Sequence, residues 1–298
     1  MSSYVSKDEV DPTAHPAPIK PVLDALLHFQ PDRGSKQTAH FVTFRNNMNK
    51  IMGTPYNTSN EWTFVLEKRD GCVYMDVRRT QQEIESNRRP HENQRRGAYA
   101  GRRFEIYATR GPRPSDNSET LAHDDRTVNE DEEFCTLSSL TLGDKRLVVA
   151  AEIDCCDPAT DHEPARYVEL KTFRLLERDK DRYVFERFKL LAFWIQSYLV
   201  GTPKIVCGFR DDDFVVRKLQ TFKTADIPSF GRKYWSPAVC LNFSSMLLDW
   251  LYSGAEEGQV YQVSYFPRRH VIEMALANGE RSFLPAVAAA TRHQAGSL

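Results

Sequence analysis

Residues 152–172, EIDCCDPATDHEPARYVELKT, set charged side chains inside two short apolar runs. Glu152 and Asp154 flank Ile153, and Glu169 and Lys171 flank Leu170. Side chains two apart on a strand point to one face, so each pair predicts a strand that aims its charges one way. If the two strands are neighbours, three carboxylates and an ammonium converge. Burying such a cluster costs energy unless a cation or substrate is held there. The chain must therefore build a sheet that gathers these groups.

The rest of the pattern supplies that sheet. EWTFVLEKRDGCVYMDVRRT (61–80) is a hairpin around Asp70-Gly71, the expected turn chemistry. FCTLSSLTLGDKRLVVAAEID (134–154) is a second, with Gly143-Asp144 at its turn, and YVELKTF follows as a strand. PKIVCGFRDDDFVVRKLQTF (203–222) is a third, with an acidic turn. Apolar residues at 41, 44, 48, 51 and 52 predict a helix over 40–56, ended by Gly53 and Pro55. Residues 181–201 predict a long amphipathic helix closed by Gly201, and 239–255 a late one. Residues 22–30 read as a short helix or strand, and 259–276 as one or two strands. The fold class is α+β, a mixed central β-sheet flanked by helices. Residues 1–36 are a partly disordered N-terminal segment, 37–280 one domain, and 281–298 a tail.

Composition narrows the function classes. The hydrophobic share, 41%, and the charged share, 27%, are those of an ordinary globular protein. No apolar run approaches the roughly 18 residues of a membrane span, and Met1–Pro18 lacks a signal-peptide core. An intracellular protein is expected. The six cysteines show no CxxC spacing, and the eight histidines no zinc-site spacing, so reduced core thiols are expected. The net charge of −1 hides two opposed blocks. Residues 87–104 hold six arginines against Glu92, and residues 115–134 hold eight acids against Arg126. Two readings stay open: solvated loops that cancel, or arginines beside a phosphate path with the acids facing away.

In order, the chain offers Glu105 in a G-x-x-x-E pattern, then E-x-D, then E-x-K, then Gln196 on the following helix. An acid upstream of an (E/D)-x-K strand is how many metal-dependent nucleases assemble a site. Hard Mg²⁺ or Mn²⁺ takes oxygen ligands and is shared between carboxylates and substrate phosphate. A single E-x-D or E-x-K means nothing, since either arises by chance on exposed strands.

The segments FVTFRNNMNKIMGTPY, GRRFE, AAEID, YVELKT, KLLAFWIQSYLVGTPKIVCGFRDDD and WSP resemble the DXO family of RNA 5′-end decapping nucleases. They keep that family's order from Ala39 to Tyr265, and the run from Trp194 to Asp211 is the most specific. The resemblance implies a core related to the D-(D/E)-x-K nucleases. It implies that Glu105, Asp154, Glu169 and the Leu170 carbonyl bind the metal, with Glu152 acting through a metal-bound water. Lys171 and Gln196 would contact the scissile phosphate or the attacking water, and Arg45 would hold a substrate phosphate. The implied activity is metal-dependent hydrolysis of RNA 5′ ends: incomplete or NAD caps, or pyrophosphate from a 5′ triphosphate. Degradation 5′ to 3′ could follow. A nuclear location is favoured over a cytoplasmic one.

Three features depart from the family. Only 44 residues precede Arg45, so an N-terminal buttress of the pocket is expected to be missing. Fourteen residues separate Asp154 from Glu169. Arg102-Arg103 stand where the family often has Tyr-Lys. A second hypothesis is a weakly catalytic partner that stabilises a 5′-to-3′ exoribonuclease. Without the resemblance, Arg45 reads as a surface arginine and Gln196 as an ordinary helix amide. Phe188, Phe193 and Trp194 read as core more readily than as base-stacking platforms.

Overall fold

The computed structural model describes residues 4–5, 19–28, 39–88, 90–109, 128–129 and 134–284. The chain begins with β1 (Tyr4–Val5), α1 (Lys20–His28), β2 (Phe41–Phe44), α2 (Arg45–Gly53), β3 (Trp62–Arg69) and β4 (Cys72–Arg78). Helices α3 (Gln81–Arg88) and α4 (Glu92–Ala108) come next. Then follow β5 (Val128–Asn129), β6 (Cys135–Leu142), β7 (Lys145–Glu152), β8 (Cys155–Cys156) and β9 (Tyr167–Arg174). Beyond them lie α5 (Asp179–Val184), a π-helical turn (Phe185–Lys189), α6 (Leu190–Tyr198), β10 (Lys204–Arg210) and β11 (Val216–Lys223). The last elements are α7 (Ile227–Gly231), α8 (Pro237–Gly254), β12 (Val260–Phe266) and β13 (Val271–Leu276). No described helix is long and apolar enough to cross a membrane. The acidic block at 115–134 and the tail beyond 284 fall largely outside the described residues, as do most of the first twenty.

Contacts group the chain into two compact units, one with residues 81–136 and 151–240, the other with 15–80, 137–150 and 241–298. The second unit carries a seven-stranded mixed sheet in the order β13-β12-β3-β4-β2-β7-β6. Its hairpin turn between β3 and β4 has both Asp70 (φ 52°) and Gly71 (φ 72°) in the left-handed region, as the Asp-Gly pair predicts. The helix predicted over 40–56 starts late. Phe41–Phe44 form β2, parallel to both β4 and β7, and the helix begins at Arg45. A short apolar run buried on both faces mimics helical spacing, and here the neighbouring strands decide. Asn47 then ties the helix back to the sheet, donating to Thr43 Oγ1 at 3.1 Å and to the Met75 carbonyl at 3.3 Å.

The first unit carries a four-stranded sheet, β11-β10-β9-β8, in which β9 and β10 run parallel. One face of β9 presents Glu169, Lys171 and Phe173. Phe173 joins Phe185, Phe209 and Phe222 in an aromatic cluster with ring centroids 5.2–5.9 Å apart. This cluster seats the π-turn and anchors α6, so the long predicted helix is present with that interruption. Gly201 (φ 71°) follows its end. On the other face lies α4. Phe104 sits so close to β10 that a Cβ at Gly208 would meet its ring at 3.0 Å. Only glycine lets the helix approach this near. The arginine-rich segment is thus a helix, not a loop.

Candidate active site

Strand β7 ends at Glu152, and Asp154 lies in the two-residue break before β8. The two acids therefore do not alternate along one strand as the sequence suggested. On the edge away from β10, β9 pairs with β8 through Cys155↔Val168 and Cys156↔Tyr167 only. Once β8 has ended, the backbone of β9 is left for a side chain to meet. Asp154 Oδ2 accepts the Leu170 amide at 2.6 Å, as a missing strand carbonyl would.

Glu169 is 1% exposed and would be costly to bury alone. Lys171 donates to its Oε1, and so does Gln196 Nε2 from α6. The same Lys171 ammonium lies 3.6 Å from Asp154 Oδ2. A second bridge stands beside this one. Arg102 Nη1 reaches Glu105 Oε2 at 3.2 Å and Glu152 Oε1 at 3.3 Å. Burial holds the Glu105 carboxyl above the usual carboxylate range, the charge of Asp154 pushes the same way, and Arg102 offsets part of this. Burial also works against the Arg102 charge, but Glu105 and Glu152 outweigh it and strengthen its hold on the proton. Burial and the charge of Asp154 push the nearby Cys155 thiol up to about 11, so it stays neutral near neutral pH.

Among the described residues, the ion pairs of the site set four carboxylates around two cations, each cation shared by two acids. All the donors are hard oxygens, the set that suits Mg²⁺ or Mn²⁺. Among the described residues, however, no three acids, histidines or cysteines already stand close enough to enclose an ion. Two of the acids are splayed around each cation. The donor chemistry fits a divalent ion, and closing on it would require Arg102 and Lys171 to give way.

Glu105, Glu152, Asp154, Glu169, Leu170, Lys171 and Gln196 are thus drawn into one cluster within the first unit. Arg45 belongs to the second unit, where it is 7% exposed as the first residue of α2, so it is not the surface arginine its sequence context suggests. Trp194 and Phe193 are core, at 3% and 6% exposed. Phe188 is not: the π-turn leaves it 46% exposed. The residue that sequence reasoning missed is Arg102. Its signal was present, since it lies one helical turn before Glu105 and in the pair that departs from the resemblance.

The geometry matches a D…E-x-K arrangement, with Asp154 and Glu169 joined through Lys171. A family model for RAI1-like PD-(D/E)XK nucleases matches residues 2–288. The chain belongs to this family. A decapping nuclease RAI1 of Aspergillus fumigatus is 30% identical over 271 residues, 85% of this chain and 73% of that protein. The decapping and exoribonuclease protein of Xenopus laevis is 34% identical over 213 residues, 70% of this chain and 52% of that one. The chain thus spans about three quarters of one relative and half of the other. Among solved structures, Candida albicans Rai1 in complex with pU5-Mn²⁺ matches with a TM-score of 0.77 and 26% identity, over 93% of this chain and 78% of that one.

Proposed function

We propose that this protein hydrolyses phosphate bonds at RNA 5′ ends with a divalent ion, Mg²⁺ or Mn²⁺. The observation that carries this is the Asp154–Lys171–Glu169 bridge, set in a cluster where four carboxylates share two cations. Glu105, Asp154, Glu169 and the Leu170 carbonyl would hold the ion, and Glu152 would reach it through water. When bound, the ion polarises a phosphate oxygen and makes a water nucleophilic near neutral pH.

The chain's own groups do the rest. Lys171, on the same strand face as Glu169, presents an ammonium to charge developing on phosphorus. Gln196 has a fixed anchor on α6 and can orient the attacking water with its amide. Attack on phosphorus in line with the leaving oxygen serves a triphosphate, an incomplete cap or an NAD cap alike, because each joins the RNA through a phosphate. The pocket rather than the charged cluster then selects the end. We also place the protein in the nucleus, where new 5′ ends arise; imaging of a fluorescent fusion tests that.

The decisive experiment incubates purified protein with 5′-labelled RNAs of each end type and Mg²⁺ or Mn²⁺. Release of pyrophosphate, cap or NAD fragments is expected, and its loss in Glu169→Ala ties it to this cluster. Absence of any release from any end, with both ions, would overturn the reading.

A further inference from the structure

Helix α4 has two working flanks. Glu105 and Arg102 face the carboxylate cluster. Arg96, Tyr99, Arg103 and Tyr107 recur at intervals of three and four, which places them on another stripe. That stripe borders a groove of about 1340 Å³, floored by Leu170, Val206 and Leu219 of the four-stranded sheet.

The groove is charged in one sense. Its walls carry Arg96, Arg103, Lys204 and Arg217 against, among the described residues, a single acid, Asp157, which is bonded to Lys204. The arginines are also stacked. The Arg103 guanidinium lies 4.8 Å from the Tyr107 ring centroid, and Arg96 lies 4.5 Å from that of Phe214. Phe214 itself is held at φ 66°, a left-handed conformation that a bulky residue rarely adopts. The turn that imposes it is locked by the Asp211 carboxylate, which accepts from the Asp213 and Val215 amides and from Arg217. The strain places an aromatic ring between two guanidiniums, Arg96 and Arg210. Stacking on a ring holds a guanidinium in orientation, and Arg103 also donates to the Tyr107 hydroxyl at 2.9 Å. Tyr107 is 47% exposed and Leu219 62%, so ring and aliphatic surfaces are offered beside the charges. Apolar lining alone would suit a protein segment. Four cations against one acid among the described residues, with arginines interleaved among rings, favour a chain of phosphates carrying flat bases.

We propose that this groove is a second, sequence-tolerant path for single-stranded RNA, holding the strand behind the 5′ end. It rests on the reading that the protein acts on RNA. The nine residues from Arg96 to Glu105 span roughly 13 Å of helix, so one rigid element links strand holding to the cluster. RNA bodies would then raise affinity for every end type equally, whatever the pocket selects.

The test needs no catalysis. Anisotropy of a fluorescent 5′-hydroxyl oligouridylate of about 20 nucleotides is titrated in EDTA, which separates this proposal from the hydrolytic one. Tyr107→Ala should weaken binding roughly tenfold, and Tyr107→Phe should restore it. Arg96→Gln with Arg103→Gln should weaken it further and reduce the salt slope by about one for each phosphate no longer neutralised. With catalysis intact, the same variants should raise KM for long RNAs of all end types and leave kcat unchanged. Dinucleotide-length substrates should be unaffected. Unchanged oligouridylate affinity in both the Tyr107→Ala and arginine variants, each shown folded by its thermal transition, overturns the proposal and leaves the groove to an acidic protein segment. An equal loss on dinucleotide substrates also overturns it, because the groove would then belong to the cleavage pocket.

Discussion

Three of the described strands carry an acid followed two residues later by a base, and only one of them is a candidate for chemistry. Glu67-x-Arg69 and Asp76-x-Arg78 lie on β3 and β4, and Glu169-x-Lys171 lies on β9. All three acids are buried, at 1%, 4% and 1% exposed. In the seven-stranded sheet each buried acid has one arginine, Arg78 also reaching the exposed Glu280 at 3.5 Å. Arg69 bonds Glu67 at 2.6 Å while the Ser282 hydroxyl lies 2.8 Å from Glu67 Oε2, and Arg78 bonds Asp76 at 2.6 Å while the Val77 amide donates to it. Each buried acid there is matched by one arginine, and the pairs are structural. On β9 the lysine is shared between Glu169 and Asp154, and Glu105 and Glu152 share Arg102 nearby. The pattern is identical in sequence; the difference is how many solvent-shielded carboxylates each cation must serve. A shared cation leaves negative charge over, and surplus charge is what a divalent ion and a phosphate can use.

Removing the base from each kind of pair should separate them. Lys171→Ala should lower kcat by on the order of 10²-fold or more while RNA binding and metal affinity hold, read by single-turnover rates and calorimetry. Full turnover at saturating RNA and Mn²⁺ would sink the assignment of Lys171. Arg69→Ala should do the opposite. It leaves Glu67 buried with a hydroxyl in place of a cation, which costs about 3 kcal/mol of stability, while the kinetic constants of the folded fraction stay put. Mn²⁺ should recover stability lost by Lys171→Ala and none of that lost by Arg69→Ala, as urea midpoints would report.

The same contrast explains what could be read from the sequence. The hairpins at Asp70-Gly71, Gly143-Asp144 and Asp211 were legible because turn chemistry is local. The cluster members were legible through order and spacing. Their route together was not, because it depends on where strands stop. Glu152 and Asp154 look like one strand face, but β7 ends between them and Asp154 serves the edge of β9 instead. Phe41–Phe44 imitate a helix because burial on both faces erases the alternation that marks a strand. Phe188 was misread because a π-turn rotates it outward, and a helical wheel assumes there is none. Arg102 was overlooked for another reason: its partner Glu152 is fifty positions away, and no local pattern carries that.

Arg102 offers a finer cut through the comparison. If it is a counter-cation standing where an ion would be bound, Arg102→Gln should raise Mn²⁺ affinity about tenfold, roughly 1.4 kcal/mol, by calorimetry on the RNA-free protein. The equivalent change at Arg78, which serves Asp76 in the balanced sheet, should leave Mn²⁺ affinity alone. A fall in affinity on Arg102→Gln would instead make Arg102 a positioning residue for Glu105 and Glu152.

The smallest effect is in pH. Burial, reinforced by Asp154, holds the Glu105 carboxyl above its ordinary value, so the folded chain keeps this proton more tightly than the unfolded one. Between the ordinary value and the raised one the folded state binds the extra proton, and stability must fall as pH rises through that window. The contribution is fully present below the ordinary carboxylate range and gone above the raised value. Its size is limited, because the Glu105 side chain is 28% exposed and solvent screens it. Glu105→Gln cannot ionise there, so in EDTA its urea midpoint should lose this slope and exceed that of the unaltered protein near neutral pH. Adding Mn²⁺ should reverse the order, since an ion that binds only the folded, ionised cluster stabilises it by mass action, and the Gln variant has one ligand fewer. The balanced pairs at Glu67 and Asp76 predict no such reversal. If Glu105→Gln were less stable than the unaltered protein in EDTA at neutral pH, the carboxylate would be contributing stability through Arg102, and the surplus-charge account of the cluster would fail.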